Sequence, residues 1–154
     1  MNEYVLYILM RNDLPSMNVG RAAAQASHAA NAFIHSFGKR KDVKEWQKST
    51  LQGFGTAIIL SAGFETIYHI IKELPQNTPA KMVYDPEYGM PVTEEVFNLI
   101  DSAKVVGSPI IKDDGTIVFF RCVDTCAFIF GKKDELFKYV GELPLFPENH
   151  ERKH

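Results

Sequence analysis

Short apolar runs alternate along this chain with stretches in which apolar residues recur every three or four positions. YVLYILMR (4–11) reads as a buried strand and ends at the turn Asn12-Asp13-Leu14-Pro15. Asn18 or Ser16 is placed to cap the next helix, which runs to about Ser36 and stops at Gly38. KDVKEWQKSTLQ (41–52) predicts a charged second helix anchored by Trp46 and Leu51, broken at Gly53-Phe54-Gly55. TAIILSA (56–62) is a second buried strand, and FETIYHIIKEL (64–74) a helix with Ile67, Ile70, Ile71 and Leu74 on one face. Within it His69 reads as a core histidine. KMVYD (81–85) predicts a third strand, and Thr93-Glu94-Glu95-Val96 the start of a helix over 94–103. PII (109–111) and TIVFF (116–120) flank Lys112-Asp113-Asp114-Gly115, a hairpin signal. TCAFIF (125–130) is another strand, KKDELFKYVGEL a closing helix, and 148–154 a polar tail. Strands alternating with helices predict one three-layer α/β domain over residues 1–147, with the hairpin added to it.

Composition changes this picture little. With 45% hydrophobic and 23% charged residues the chain is of ordinary globular type, and 154 residues bury a core without staples. A net charge of −2 confines any nucleic-acid site to a local patch. One patch is present: GKRKDVKEWQK carries Lys39, Arg40, Lys41, Lys44 and Lys48, directly after the first helix. It reads either as solvated surface or as a grip for RNA phosphates. Cys122 and Cys126 lie on an apolar, β-prone run, roughly 13 Å apart if the strand is straight. That separation excludes a disulfide, and buried free thiols suit a reducing cytoplasm. The N-terminal apolar run is too short for a signal peptide or a membrane span.

The stretch GRAAAQASHAANAF (20–33) is half alanine, yet it carries Arg21, Gln25 and His28. With Asn18 as zero, these three and His35 fall within roughly a 100° arc of the helix. Ser27 falls on the opposite side and reads as packed or bonded to backbone. The alanines let the helix approach a sheet closely, leaving the polar stripe for solvent or a cleft. As a plain wet face the stripe needs no function. As a working face it offers His28 for proton transfer, Arg21 as a permanent cation for an oxyanion or phosphate, and Gln25 to orient a water or carbonyl.

At these residues the sequence resembles the type II peptidyl-tRNA hydrolases. Arg11-Asn12-Asp13-Leu14 is similar to the family's turn after the first strand. Gly20-Arg21-Ala22-Ala23-Ala24-Gln25-Ala26-Ser27-His28-Ala29 is similar to its helix motif. The Gly55–Ala62 strand, Thr125-Cys126-Ala127-Phe128-Ile129-Phe130-Gly131 and DELFKYVGEL extend the likeness to about two-thirds of the chain. The resemblance implies a mixed, mainly four-stranded sheet flanked by helices, no cofactor or metal, a frequent homodimer, and cleavage of the ester joining peptide to tRNA. It carries catalytic expectations onto Arg21 (lysine in the family), Gln25, His28, Asp85 and Thr125, and a substrate-binding expectation onto Asp13. Asn18 and the basic run join Asp13 as expected substrate contacts. This chain has alanine, Ala26, at the family's cysteine, and Pro86-Glu87-Tyr88-Gly89 where Ala-Gly-Arg-Thr often follows the aspartate. Residues from about 89 to 124 match nothing familiar and read as an insertion. For Asp85 the other reading is a turn aspartate before proline. Two rivals to the hydrolase stand beside it: a non-catalytic tRNA- or protein-binding module on the same scaffold, and an esterase of small substrates, for which no Gly-x-Ser-x-Gly motif is present.

Overall fold

The computed structural model describes residues 3–94 and 110–147. Its elements in chain order are β1 (Tyr4–Arg11), α1 (Val19–Phe37), α2 (Lys41–Lys48), β2 (Ala57–Ala62), α3 (Phe64–Glu73), β3 (Ala80–Val92), β4 (Ile110–Ile111), β5 (Ile117–Lys132) and α4 (Lys133–Val140). The chain forms two compact units: Met1–Val83 with Cys126–His154, and Tyr84–Thr125.

In the first unit a mixed sheet runs in the order β2-β1-β5-β3. β1 pairs parallel to β2, from Leu6↔Ala57 to Arg11↔Ala62, and antiparallel to β5, from Tyr4↔Lys132 to Met10↔Cys126. β1 is apolar on both faces because both are covered. Val5, Tyr7 and Leu9 meet Ile67 and Ile70 of α3 and Leu136 and Val140 of α4. Leu6, Ile8 and Met10 meet Ala22, Ala29 and Phe33 of α1 and Val43 and Trp46 of α2. Helices therefore lie on both faces, giving the expected three layers. Phe33 centres an aromatic cluster, its ring centroid 5.0 Å from Phe130, 5.5 Å from Phe128 and 5.6 Å from Trp46.

α1 starts where Asn18 Oδ1 accepts the Arg21 amide at 2.9 Å and ends at Gly38, as the cap residues predict. α2 is shorter than expected. Trp46 is its anchor, buried and donating from Nε1 to Thr56 O at 2.8 Å, whereas Leu51 is fully exposed beyond the helix end. β2 has no further strand on its outer side among the described residues. Instead Ser61 N donates to Pro144 O at 2.8 Å and Phe146 N to Ile59 O at 3.0 Å, so the chain after α4 covers that edge.

Several expectations need correction. His69 is exposed, 4.0 Å from Glu65, because α3 packs through Ile67 and Ile70 and turns position 69 outward. Ser27 is exposed rather than packed. KMVYD is part of a longer strand, and TIVFF and TCAFIF are one strand, β5: Arg121-Cys122-Val123-Asp124 continues the extended backbone instead of breaking it. Cys122 and Cys126 are buried and not joined in a disulfide.

In the second unit β4 and β5 form the expected hairpin, Ile110↔Val118 and Ile111↔Ile117. Lys112 N donates to Thr116 O at 2.9 Å, and Gly115 adopts φ +83°, a left-handed turn that favours glycine. The unit encloses the stretch read as an insertion. Of the helix expected over 94–103, residues 95–103 lie outside the described residues, as does the tail 148–154.

Candidate active site

The parallel pair β1 and β2 delivers the chain to α1 on one face and to α3 on the other. Crevices at such a reversal, beyond the carboxyl ends of strands, are where open α/β sheets bind ligands. The β1–α1 turn is held in place from both sides. Arg11 Nε donates to Asp13 Oδ1 at 2.7 Å, and Phe64 N at the start of α3 donates to Asp13 Oδ2 at 3.1 Å. Gly63, the N-cap residue of α3, has no side chain, so Asp13 caps that helix from a distance. Burial raises the Asp13 pKa, but the bonds from Arg11 and Phe64 outweigh it and hold the carboxyl below its ordinary range. Asp13 and Asn18 thus each have a defined structural duty, one across the turn and one at the α1 cap.

The stripe on α1 divides. Arg21 and His28 are exposed; Gln25 is 3% exposed and lies among the buried residues Ala22, Ala29 and Phe33. The angles explain it. The buried stripe is centred at roughly 20–60° on the scale that has Asn18 at zero. Gln25, at roughly 340°, falls on its shoulder, and Arg21 and His28, at about 280–300°, fall outside it. The expectation that all three point together at solvent or a cleft is corrected for Gln25: it is a buried amide beside an exposed cation and an exposed imidazole. The backbone there is fixed as well, since Cys126 Sγ donates to Gln25 O at 3.7 Å. Arg21 Nη1 donates to Ser16 O at 3.0 Å, which holds the guanidinium against the loop before α1.

Asp85 and Thr125 belong to the second unit. Asp85 is half-buried on β3, and Thr125 is fully buried on β5. In the basic run, Lys39, Lys41, Lys44 and Lys48 are exposed, with Lys41 4.0 Å from Glu45. Arg40 is engaged otherwise. Its Nε and Nη2 donate to both carboxylate oxygens of Asp42, at 3.0 and 2.8 Å, and Nη1 to Asn77 O at 3.3 Å. The hydrogen bond from Arg40 is the main reason the Asp42 pKa is lowered. One buried hydroxyl is not singled out by the sequence reading: Ser61, the polar residue of AIILSA, is 2% exposed. Its only signal is a serine inside an apolar strand.

Layer order, mixed sheet and helices on both faces define a three-layer α/β protein. The family model Peptidyl-tRNA hydrolase PTH2 matches residues 4–146, nearly the whole chain, and the chain belongs to that family. Membership supports an ester hydrolase of the tRNA-directed kind and gives nothing to the non-catalytic alternative. A search of curated proteins finds no match. No helix among the described residues is long and apolar enough to cross a membrane.

Proposed function

We propose that this protein hydrolyses the ester bond of peptidyl-tRNA, releasing peptide and free tRNA, in the cytoplasm. The observation that carries the reading is the family match over residues 4–146, with Arg21, Gln25 and His28 standing on α1 at the motif positions. Water attacks the ester carbonyl, a tetrahedral oxyanion forms, and the ribose oxygen leaves with a proton. His28 is exposed and chemically suited to move that proton. Arg21 supplies fixed positive charge to the oxyanion or to the terminal phosphate, acting by charge alone because a guanidinium does not deprotonate. Buried Gln25 acts as a positioning residue through its amide. Asp85 and Thr125 enter the reading through the family motif alone. The exposed lysines 39, 41, 44 and 48 supply a cationic surface for the RNA backbone.

The test uses purified protein with labelled N-blocked aminoacyl-tRNA, against the same tRNA carrying a free amine. Cleavage of the blocked substrate alone supports the reading. Binding of both without cleavage of either rejects it.

A further inference from the structure

A cleft of about 280 Å³ opens beyond the carboxyl ends of β1 and β2. Asn12, Asn18, Val19, Ser61 and Phe146 line it, together with Arg11, whose guanidinium is paired with Asp13 at 2.7 Å. Arg21, Gln25 and His28 do not line it, so the cleft is separate from the polar stripe of α1.

Two independent features give it an anion's chemistry. The first is the start of α1, a nineteen-residue helix with no acidic side chain in its first turn. Asn18 caps one amide, that of Arg21, and the positive end of the helix is otherwise uncompensated by carboxylates of its own first turn. The second is Ser61. Along β2, Leu60 and Ala62 pack on the α3 side and Ile59 on the α1 side, so alternation turns Ser61 toward α1. Its Oγ is buried and has no hydrogen-bond partner among the described residues. Folding alone favours alanine here, because a buried hydroxyl without a partner is destabilising.

We propose that this cleft binds a phosphate group, with the first-turn amides of α1 and the Ser61 hydroxyl as donors. A phosphate presents several acceptor oxygens and negative charge, which match a helix N-terminus and a lone hydroxyl donor together. The site does not require the hydrolytic reading. Free phosphate and a phosphate carried by RNA share the same chemistry.

The test is a titration of ¹⁵N-labelled full-length protein at constant ionic strength, once with inorganic phosphate and once with a single-stranded RNA trinucleotide. The amides of Val19, Gly20 and Ser61 are expected to shift and saturate. Ser61→Ala should weaken binding about tenfold or more, the effect of losing one hydrogen bond to a charged group, while its unfolding midpoint does not fall. Val19→Glu, at a position 65% exposed, should abolish binding by placing a carboxylate at the helix end, again without loss of stability. Tighter binding of the trinucleotide assigns the site to RNA-borne phosphate, and tighter binding of inorganic phosphate to a free oxyanion. Absence of saturable shifts with either probe overturns the proposal. So does equal affinity in wild type and Ser61→Ala.

Discussion

The Asp13 carboxylate receives the backbone N–H of Phe64 at 3.1 Å, joining residues 51 positions apart in sequence. Through that one side chain the loop that launches α1 also caps α3, the helix on the other face of the sheet. Asp13→Ala should therefore destabilise the protein by about 1 kcal/mol, the usual cost of a lost cap. The effect should depend on pH. The folded-state pKa lies below the unfolded value, so the stabilisation is present above about pH 4, the unfolded carboxylate range, and is lost as pH falls through the folded pKa. Urea unfolding of wild type and variant, followed from neutral pH down through the carboxylate range, should show two curves that converge at the acid end. A gap that stays constant across that range contradicts the assignment.

Gly55 faces Trp46. A Cβ on Gly55 would overlap the indole ring of Trp46, and the residue has φ +70°. Gly55→Ala should cost about 3 kcal/mol or more, on the order of the largest core overpacking effects, or prevent folding outright. Gly53 has φ +74° with nothing within 4 Å of a built Cβ, so Gly53→Ala should lose only roughly 1–2 kcal/mol of backbone preference. Thermal unfolding followed by Trp46 fluorescence separates the two.

His28 is exposed, so His28→Ala should leave the unfolding free energy within about 0.5 kcal/mol of wild type. Single-turnover cleavage of N-blocked aminoacyl-tRNA should slow by about 10²–10⁴. Unchanged turnover removes His28 from the mechanism.

Arg21 carries charge without a transferable proton. Arg21→Lys restores the family's residue and should keep most of the activity, whereas Arg21→Ala should lower kcat/KM by about 10²–10³. Equal rates for the lysine and alanine variants would show that charge at this position is irrelevant.

Lys44→Glu with Lys48→Glu should weaken tRNA binding and flatten its salt dependence. The log–log slope should fall by about 0.7–0.9 for each phosphate that is no longer neutralised. Arg40→Gln should change that slope less, since the guanidinium is already held by Asp42 and Asn77 O. Filter binding over roughly 50 to 200 mM salt reads both. An unchanged slope in the double variant places the RNA elsewhere.

Much of the architecture was legible because its signals are local. The apolar run 4–11 reads as a covered strand, Asn18 and Gly38 mark the ends of α1, and Asp114-Gly115 marks a hairpin. The site was legible only as far as its residues resemble a motif. Burial of Gln25 was not, because alanines on both flanks of α1 leave two directions equally able to meet a sheet. Exposure of His69 and Leu51 was hidden for the same reason: periodicity gives a spacing, and the neighbouring layer decides which face is inside.

By itself, then, the sequence determined the order of strands and helices from β1 to α3, the capped ends of α1 and the family, since each depends on neighbours a few residues apart or on a motif read in place. The tertiary structure alone decided that Gln25 lies inside while Arg21 and His28 stay out, that Asp13 caps the distant helix α3, that Pro144–Phe146 covers the β2 edge, and that Ser61 buries a hydroxyl without a partner among the described residues. Those outcomes depend on segments distant along the chain coming together, and they do so only once the layers have closed on the sheet.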